Sequence, residues 1–162
     1  PSEMAWRFAD LFGGECYMLA APVYAPDEET RAALFAHKGL AEVLERARAA
    51  DLSIVSVGDF SPDSTIFRYH MLEKADLDGL TKAGAVCDIL CHFIDRDGHL
   101  VDHPANKRAM AISPNELIKS PQLILASGGP HKIEGMAAMM KISTPAYVVT
   151  DSDTARGMLS AK

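Results

Sequence analysis

Three stretches of this chain combine residue types suited to holding a small polar molecule. The first is Ser127-Gly128-Gly129-Pro130-His131-Lys132. Two glycines follow an apolar run, and Pro130 stands where the first residue of a helix belongs. Glycine lets a backbone approach a ligand closely, and the free N–H groups at a helix start point outward. Lys132 then falls in the first turn, where the helix dipole disfavours a cation by about 0.3–1 kcal/mol. A bound anion reverses that sign, which makes Gly128, Gly129 and Lys132 a candidate phosphate cradle. The competing reading is a plain strand-to-helix turn with a solvated lysine, and spacing leaves both open. The segment matches neither a Walker motif nor a dinucleotide fingerprint.

The second stretch surrounds Asp88. Read as one strand, residues 86–94 place Val86, Asp88, Leu90, His92 and Ile94 on one face and Cys87, Ile89, Cys91 and Phe93 on the other. An acid inside a buried strand must be hydrogen-bonded or paired. Sugar hydroxyls would satisfy it, and so would a structural pair with Arg68, Arg108 or Lys132. The third stretch is the polar loop from Asp59 to Arg68. Ser64 and Thr65 carry hydroxyls there, and Arg68 offers a planar fork that fits a phosphate. A capped turn introducing a helix explains the same residues.

Other chemistries find little support. No H-E-x-x-H spacing imitates a zincin, and His37, His70, His99 and His103 read as surface residues. There is no G-x-S-x-G elbow and no cysteine beside a plausible base. No catalytic residue, metal site or cofactor is therefore assigned. Thr150-Asp151 reads as a strand end followed by a helix cap, and Met136, Met139 and Met140 as core or dimer surface.

Around these stretches the pattern predicts alternating helices and strands. Met4, Ala5, Phe8, Ala9 and Phe12 share one face of an opening helix closed by Gly13-Gly14. Strands are expected over 16–21, 52–57, 86–94, 122–127 and 147–150. Helices are expected over 28–36 with Asp27 as cap, 39–50, 73–82 and 130–141, with a last one after Asp151. Ser113 with Glu116 three residues on forms a capping box for a short helix. Asp95-Arg96-Asp97-Gly98 turns the chain into a short hairpin ending at 99–101. Strands separated by helices imply parallel pairing by right-handed crossovers. The expected fold is α/β, a Rossmann-like, mostly parallel sheet flanked by helices, with a short antiparallel excursion after Asp95. Ligands in such sheets bind beyond the carboxyl ends of the strands.

The length of 162 residues suits a single domain that buries roughly 70% of its unfolded surface without a staple. Sixteen basic and 22 acidic residues give a net charge of −6. Duplex DNA binding draws its affinity from Lys and Arg neutralising phosphates, so DNA contact is expected from another segment. Cys16, Cys87 and Cys91 form no CxxC pair and fit a reducing cytosol. No apolar run reaches the ~18–20 residues that span a bilayer, and no signal peptide is read. A cytoplasmic protein with no membrane partner is expected.

Several runs in register resemble the sugar-binding domain of SorC/DeoR-type bacterial transcription regulators. They are Gly84-Ala85-Val86-Cys87-Asp88-Ile89-Leu90 with Phe93-Ile94-Asp95-Arg96-Asp97-Gly98, Arg108-Ala109-Met110-Ala111-Ile112-Ser113 with Glu116-Leu117, Ala126 through Lys132, and Tyr147-Val148-Val149-Thr150-Asp151. Ala49-Ala50-Asp51-Leu52, Val57-Gly58-Asp59 and residues 77–80 also fit. The resemblance covers nearly the whole chain. It implies a fold like glucosamine-phosphate deaminase, ribose-phosphate isomerase and the CoA transferases. It also implies a phosphorylated sugar or related metabolite as effector, and a homo-oligomer, dimer or tetramer. By position, Asp88 resembles the acid that meets ligand hydroxyls and Lys132 the lysine at the phosphate end. Thr65 and Arg68 fall near ligand-contacting positions, and Leu90 and His92 would line the pocket wall.

The chain departs from that pattern. Cys87 stands where a glycine is usual before the acid, and His131 precedes Lys132. The family's helix-turn-helix DNA-binding domain and the first glycine-rich strand-turn of its sugar domain have no counterpart in these residues. The expectation is thus one sugar-binding domain over 1–162, cut at its N-terminal side. DNA would be reached only through the absent helix-turn-helix domain. The alternative is a sugar-phosphate isomerase or deaminase of the related fold, which needs a positioned base. Asp88 is its only candidate.

Overall fold

The computed structural model describes residues 2–160. An opening helix α1 (Ser2–Phe12) precedes the helical pair α2 (Glu28–Ala36) and α3 (Lys38–Arg48). Asp27 caps α2 as its position predicts, accepting the Thr30 N–H at 2.7 Å. Strand β1 (Leu52–Val55) leads through a loop into the short helix α4 (Thr65–Arg68) and then α5 (Lys74–Lys82). Strands β2 (Cys87–Ile89) and β3 (His92–Ile94) follow, then helices α6 (Pro104–Arg108) and α7 (Pro114–Leu117). The Ser113–Glu116 capping box of α7 is formed on both sides. Strand β4 (Gln122–Ala126), a 3₁₀ turn (Pro130–Lys132), α8 (Ile133–Ile142), β5 (Tyr147–Val149) and α9 (Ser152–Ser160) complete the order.

The central sheet is parallel throughout, in the order β1-β4-β5. Its register pairs Ile54 with Ile124 and Leu125 with Val148. Three of the strands separated by helices pair in parallel as expected, whereas β2 and β3 form a separate antiparallel pair, and the α/β reading holds. The loops leaving β1 and β4 emerge at one edge of the sheet, because the two strands run the same way.

Two local expectations are corrected. Residues 86–94 are not one strand. Leu90 and Cys91 both have positive φ (49° and 65°) and fold the run into a two-residue hairpin that pairs Asp88 with Phe93. Such turns favour Asn-Gly or Asp-Gly, and neither Leu nor Cys announces one. Tertiary contacts hold it instead. Asn106 Oδ1 accepts the Phe93 N–H at 2.7 Å, and Asn106 Nδ2 donates to the carbonyls of Phe93 (2.9 Å) and Val101 (2.8 Å). The single-face reading of Asp88, Leu90 and His92 falls with the single strand. Residues 16–21 form no strand either. A strand needs a partner edge, and here the Ala21 N–H bonds locally to the Leu19 carbonyl.

The turn after Asp95 does form, closed by a bridge between Ile94 and Leu100 and by Gly98 at φ 86°. The β2–β3 hairpin joins two apolar cores. Ile89 and Ile94 pack with Val55, Leu123, Leu125 and Met136 beneath the sheet. Phe93, which alternates with Ile94 along β3, packs with Phe67, Leu80, Ala105 and Val101 in a second cluster away from the sheet. Each such fully buried side chain contributes about 1.5–3 kcal/mol, which fixes the hairpin relative to the sheet. Met4, Phe8 and Phe12 of α1 share a face as predicted, but that face is exposed.

Candidate functional site

The site begins at the carboxyl end of β1. Val57 bridges Ile89, and the Gly58 N–H donates to the Asp88 carbonyl at 2.6 Å. This tie places the Asp88 side chain against the Gly58 Cα. A β-carbon on Gly58 would lie 1.5 Å from Asp88 Oδ1, so only glycine fits. The chain then runs through Asp59, which accepts the Ser61 hydroxyl at 2.6 Å, to Ser64 and helix α4. Buried Ile66 and Phe67 anchor that helix, leaving Thr65 and Arg68 on its outer side.

The second wall comes from the carboxyl end of β4. After Ala126 the chain passes through Gly128 and Gly129 (φ 106°) into the 3₁₀ turn carrying His131 and Lys132. The two walls enclose a cavity of about 250 Å³ lined by Gly58, Asp59, Ser64, Thr65, Asp88 and Lys132, with Asp63, Ile66 and His131 at its sides. Three of the residues singled out from sequence, Asp88, Lys132 and Thr65, therefore meet in one cavity.

The others lie elsewhere. Arg68 is exposed, its guanidinium 6.0 Å from the Tyr69 ring. Leu90 forms the hairpin turn and packs against the core beneath the sheet. His92 is buried with Nδ1 3.1 Å from the Leu90 carbonyl, and burial depresses its basicity. Gly128 and Gly129 stand behind Lys132, outside the cavity lining. The Gly129 N–H is engaged within the protein, donating to Asp151 Oδ2 (2.8 Å) and Thr154 Oγ1 (2.7 Å). An internal carboxylate thus fills the position at the glycine pair that the sequence offered to a phosphate. Hydrogen bonds from the Thr154 N–H and hydroxyl, and then from the Gly129 and Asp153 N–H groups, hold the Asp151 carboxyl down at about 2.

Gly58 escaped the sequence reading as a site residue, although a glycine directly after a strand is the available signal. Of the charged partners that the pattern offers Asp88, Lys132 shares its cavity, and Asp59, Asp63 and His131, which the pattern did not single out, share it too.

Electrostatically the cavity centres on Asp88. Burial pushes its carboxyl up to about 6, and the neighbouring Asp59 adds to the rise. The Cys91 N–H, 3.1 Å from Oδ2, and the Lys132 ammonium pull the other way. Above that pH the carboxylate can accept hydrogen bonds from hydroxyls, and the Lys132 ammonium can pair with an anion. Burial pushes the Cys87 and Cys91 thiols up to about 12, so they are inert small hydrophobes. A wider depression of about 490 Å³ beside Phe60, Val86 and Asp95 contains one cation, Arg96, already bonded to Glu134 at 2.7 Å. His99 and His103 stand four residues apart, but His103 caps α6. Among the described residues no group of three His, Cys, Asp or Glu is placed to hold a metal. Among them, too, no helix is long and apolar enough to cross a membrane.

An α/β domain with an acid and a lysine in one cavity at the carboxyl edge of its parallel strands has the build of a small-molecule binding domain. Residues 1–160 match the family model described as "Putative sugar-binding domain", and the chain belongs to that family. It is 24% identical over 159 residues to the erythritol catabolism regulatory protein EryD of Brucella abortus, covering 98% of this chain and 50% of EryD. A DeoR family transcriptional regulator from Listeria monocytogenes superposes with a TM-score of 0.90 at 23% identity, covering 97% of this chain and 64% of that one. The full-length sorbitol operon regulator SorC from Klebsiella pneumoniae gives a TM-score of 0.84 at 18% identity, covering 98% and 51%. At these identities the two structures speak for the fold. The chain spans about half the length of EryD and SorC.

Proposed function

We propose that this domain binds a phosphorylated sugar or polyol and thereby controls DNA binding by a transcription regulator. The observation that carries the reading is the meeting of Asp88 and Lys132 in one cavity. A buried carboxylate beside a lysine matches a molecule with hydroxyls at one end and an anion at the other. The names of EryD and SorC refer to erythritol and sorbitol, both polyols, which supports the same class. In this reading the effector-binding group comprises Asp88, Lys132 and Thr65, with Ser64 from the same cavity. Gly128 and Gly129 lead into the turn that carries Lys132, Leu90 and His92 hold the hairpin that carries Asp88, and Arg68 stays on the exposed side of α4.

Control of DNA belongs to a helix-turn-helix domain outside these residues, because a net charge of −6 suits this chain poorly to a phosphate backbone. The regulator acts in the cytoplasm as a homo-oligomer, dimer or tetramer. It is a sensor and no enzyme, and it needs no cofactor.

The test is isothermal titration of the full-length regulator with erythritol 4-phosphate, sorbitol 6-phosphate and ribose 5-phosphate, each beside its unphosphorylated parent. Binding of at least one phosphorylated compound, lost in Asp88→Ala and Lys132→Ala, is the expected result. A panel without a binder overturns the reading. Turnover of ribose 5-phosphate or glucosamine 6-phosphate would show an isomerase or deaminase instead.

A further inference from the structure

Ser64 differs from every other polar side chain in the protein that the described residues show. Its hydroxyl is the single buried side-chain nitrogen or oxygen among them with no hydrogen-bond partner. The residue is only 6% exposed and its oxygen is closed off from water, but Ser64 lines the cavity that contains Asp88 and Lys132, so a turn about its Cα–Cβ bond is what would present the hydroxyl there. Buried polar groups in folded proteins are almost always satisfied, so each orphan asks for an explanation.

The obvious structural explanation fails. Ser64 precedes α4 in the N-cap position, where a serine ordinarily accepts a backbone N–H two or three residues on. It makes no such bond. Its own backbone is satisfied, with the N–H donating to the Ser61 carbonyl at 3.1 Å and the carbonyl accepting the Arg68 N–H at 2.8 Å. The nearby serine that does bond a cavity acid is Ser61, which donates to Asp59. The Ser64 hydroxyl is thus left over from the local structure. A hydroxyl reorients by turning about single bonds and serves as donor or acceptor, which suits it to a ligand hydroxyl.

We propose that Ser64 is a specificity-determining residue of this cavity, its hydroxyl pairing with one hydroxyl of the bound polyol phosphate. This rests on the sugar-phosphate reading above and adds the group that reads one position of the carbon chain. A site whose buried polar group goes unpaired by a deoxy analogue discriminates against that analogue.

The experiment uses the full-length regulator, wild type and Ser64→Ala. The ligands are sorbitol 6-phosphate and ribose 5-phosphate, with the monodeoxy analogues of each, 2-deoxyribose 5-phosphate among them. Thermal melting is recorded without ligand and dissociation constants by titration. Ser64→Ala should bind the parent compound about 3- to 10-fold more weakly, as loss of one neutral hydrogen bond requires. For one monodeoxy analogue the two proteins should bind equally, because the partner hydroxyl is already gone. The ligand-free melting temperature should stay or rise, since the orphan contributes nothing to the empty fold. Equal weakening toward the parent and every deoxy analogue overturns the proposal, as does a lowered melting temperature with unchanged affinity, the signature of a helix cap. Absence of any binding by the wild type overturns the underlying sugar-phosphate reading and this proposal with it. Binding with no Ser64-dependent discrimination overturns this proposal alone.

Discussion

The Asp88 carboxylate occupies the space that a side chain at residue 58 would need, with Oδ1 1.5 Å from where a Gly58 β-carbon would stand. The same glycine donates its N–H to the Asp88 carbonyl. One glycine therefore fixes both the backbone and the side chain of the buried acid. Gly58→Ala should force the carboxylate aside or push the β1 loop away. Overpacking of this kind costs about 1–3 kcal/mol. Titration should show at least tenfold weaker binding of the polyol phosphate, with a lower melting temperature. Binding at wild-type strength would show that Asp88 need not sit where it does.

The raised carboxyl of Asp88 makes two opposite predictions about pH. In the ligand-free protein the folded value of about 6 lies above the ordinary 3.8, so the neutral acid is the form the fold favours. Its contribution to stability is complete below about pH 4 and is lost as pH rises through 6. Two units amount to about 3 kcal/mol. Chemical denaturation of wild type should show this decline between pH 4 and 6, and Asp88→Asn should lack it.

Ligand hydroxyls, in contrast, donate to the carboxylate, so affinity should climb about tenfold from pH 5 to 7 and then level. The ligand's phosphate titrates in the same window. The informative quantity is therefore the difference between the wild-type and Asp88→Asn profiles. Identical profiles would mean that no hydroxyl meets Asp88.

How much of this was legible in the sequence depends on how local each signal is. The Asp27 cap, the Ser113–Glu116 box and the turn at Gly98 are set by residues within a few positions, and they form as read. The three parallel strands were legible from apolar runs between helices. The hairpin at Leu90-Cys91 was not, because Asn106, well downstream, satisfies the backbone that a nine-residue strand would have used. The candidate cavity was partly legible. The loops after β1 and β4, which carry Thr65 and Lys132, could be brought together because parallel strands send them to one edge, whereas Asp88 reaches that edge through the tie of its hairpin to Val57 and Gly58. The filling of the glycine turn by Asp151 could not be read, since that contact joins residues 22 positions apart. Nothing in spacing tells a glycine that admits a ligand from one that admits a neighbouring carboxylate.

The same hairpin gives a stability prediction free of any ligand. Asn106 makes three bonds to the backbone of Phe93 and Val101, at a place where Phe93 is fully buried. Asn106→Ala leaves the Phe93 N–H and the Val101 carbonyl without this partner, while the Phe93 carbonyl keeps the Val101 N–H at 3.1 Å, and each unsatisfied buried group costs about 1–3 kcal/mol. Chemical denaturation should show a loss of about 2–4 kcal/mol, with ligand affinity falling as well because β2 carries Asp88. A loss below 1 kcal/mol would mean that apolar packing alone holds the hairpin.

Lys132 separates the two ends of the proposed ligand. Lys132 lines the cavity with Asp88, yet its charge suits an anion. Wild type should prefer sorbitol 6-phosphate to sorbitol, and Lys132→Gln should lose most of that preference while keeping its affinity for the unphosphorylated polyol. A charge-assisted hydrogen bond contributes about 1.5–3 kcal/mol, so the preference should shrink by roughly 10- to 150-fold. Raising the salt concentration should narrow the wild-type preference and leave the variant unmoved, because screening acts on the charge that only the wild type carries. A variant that loses both ligands equally would place Lys132 in the scaffold of the turn, with the phosphate bound elsewhere.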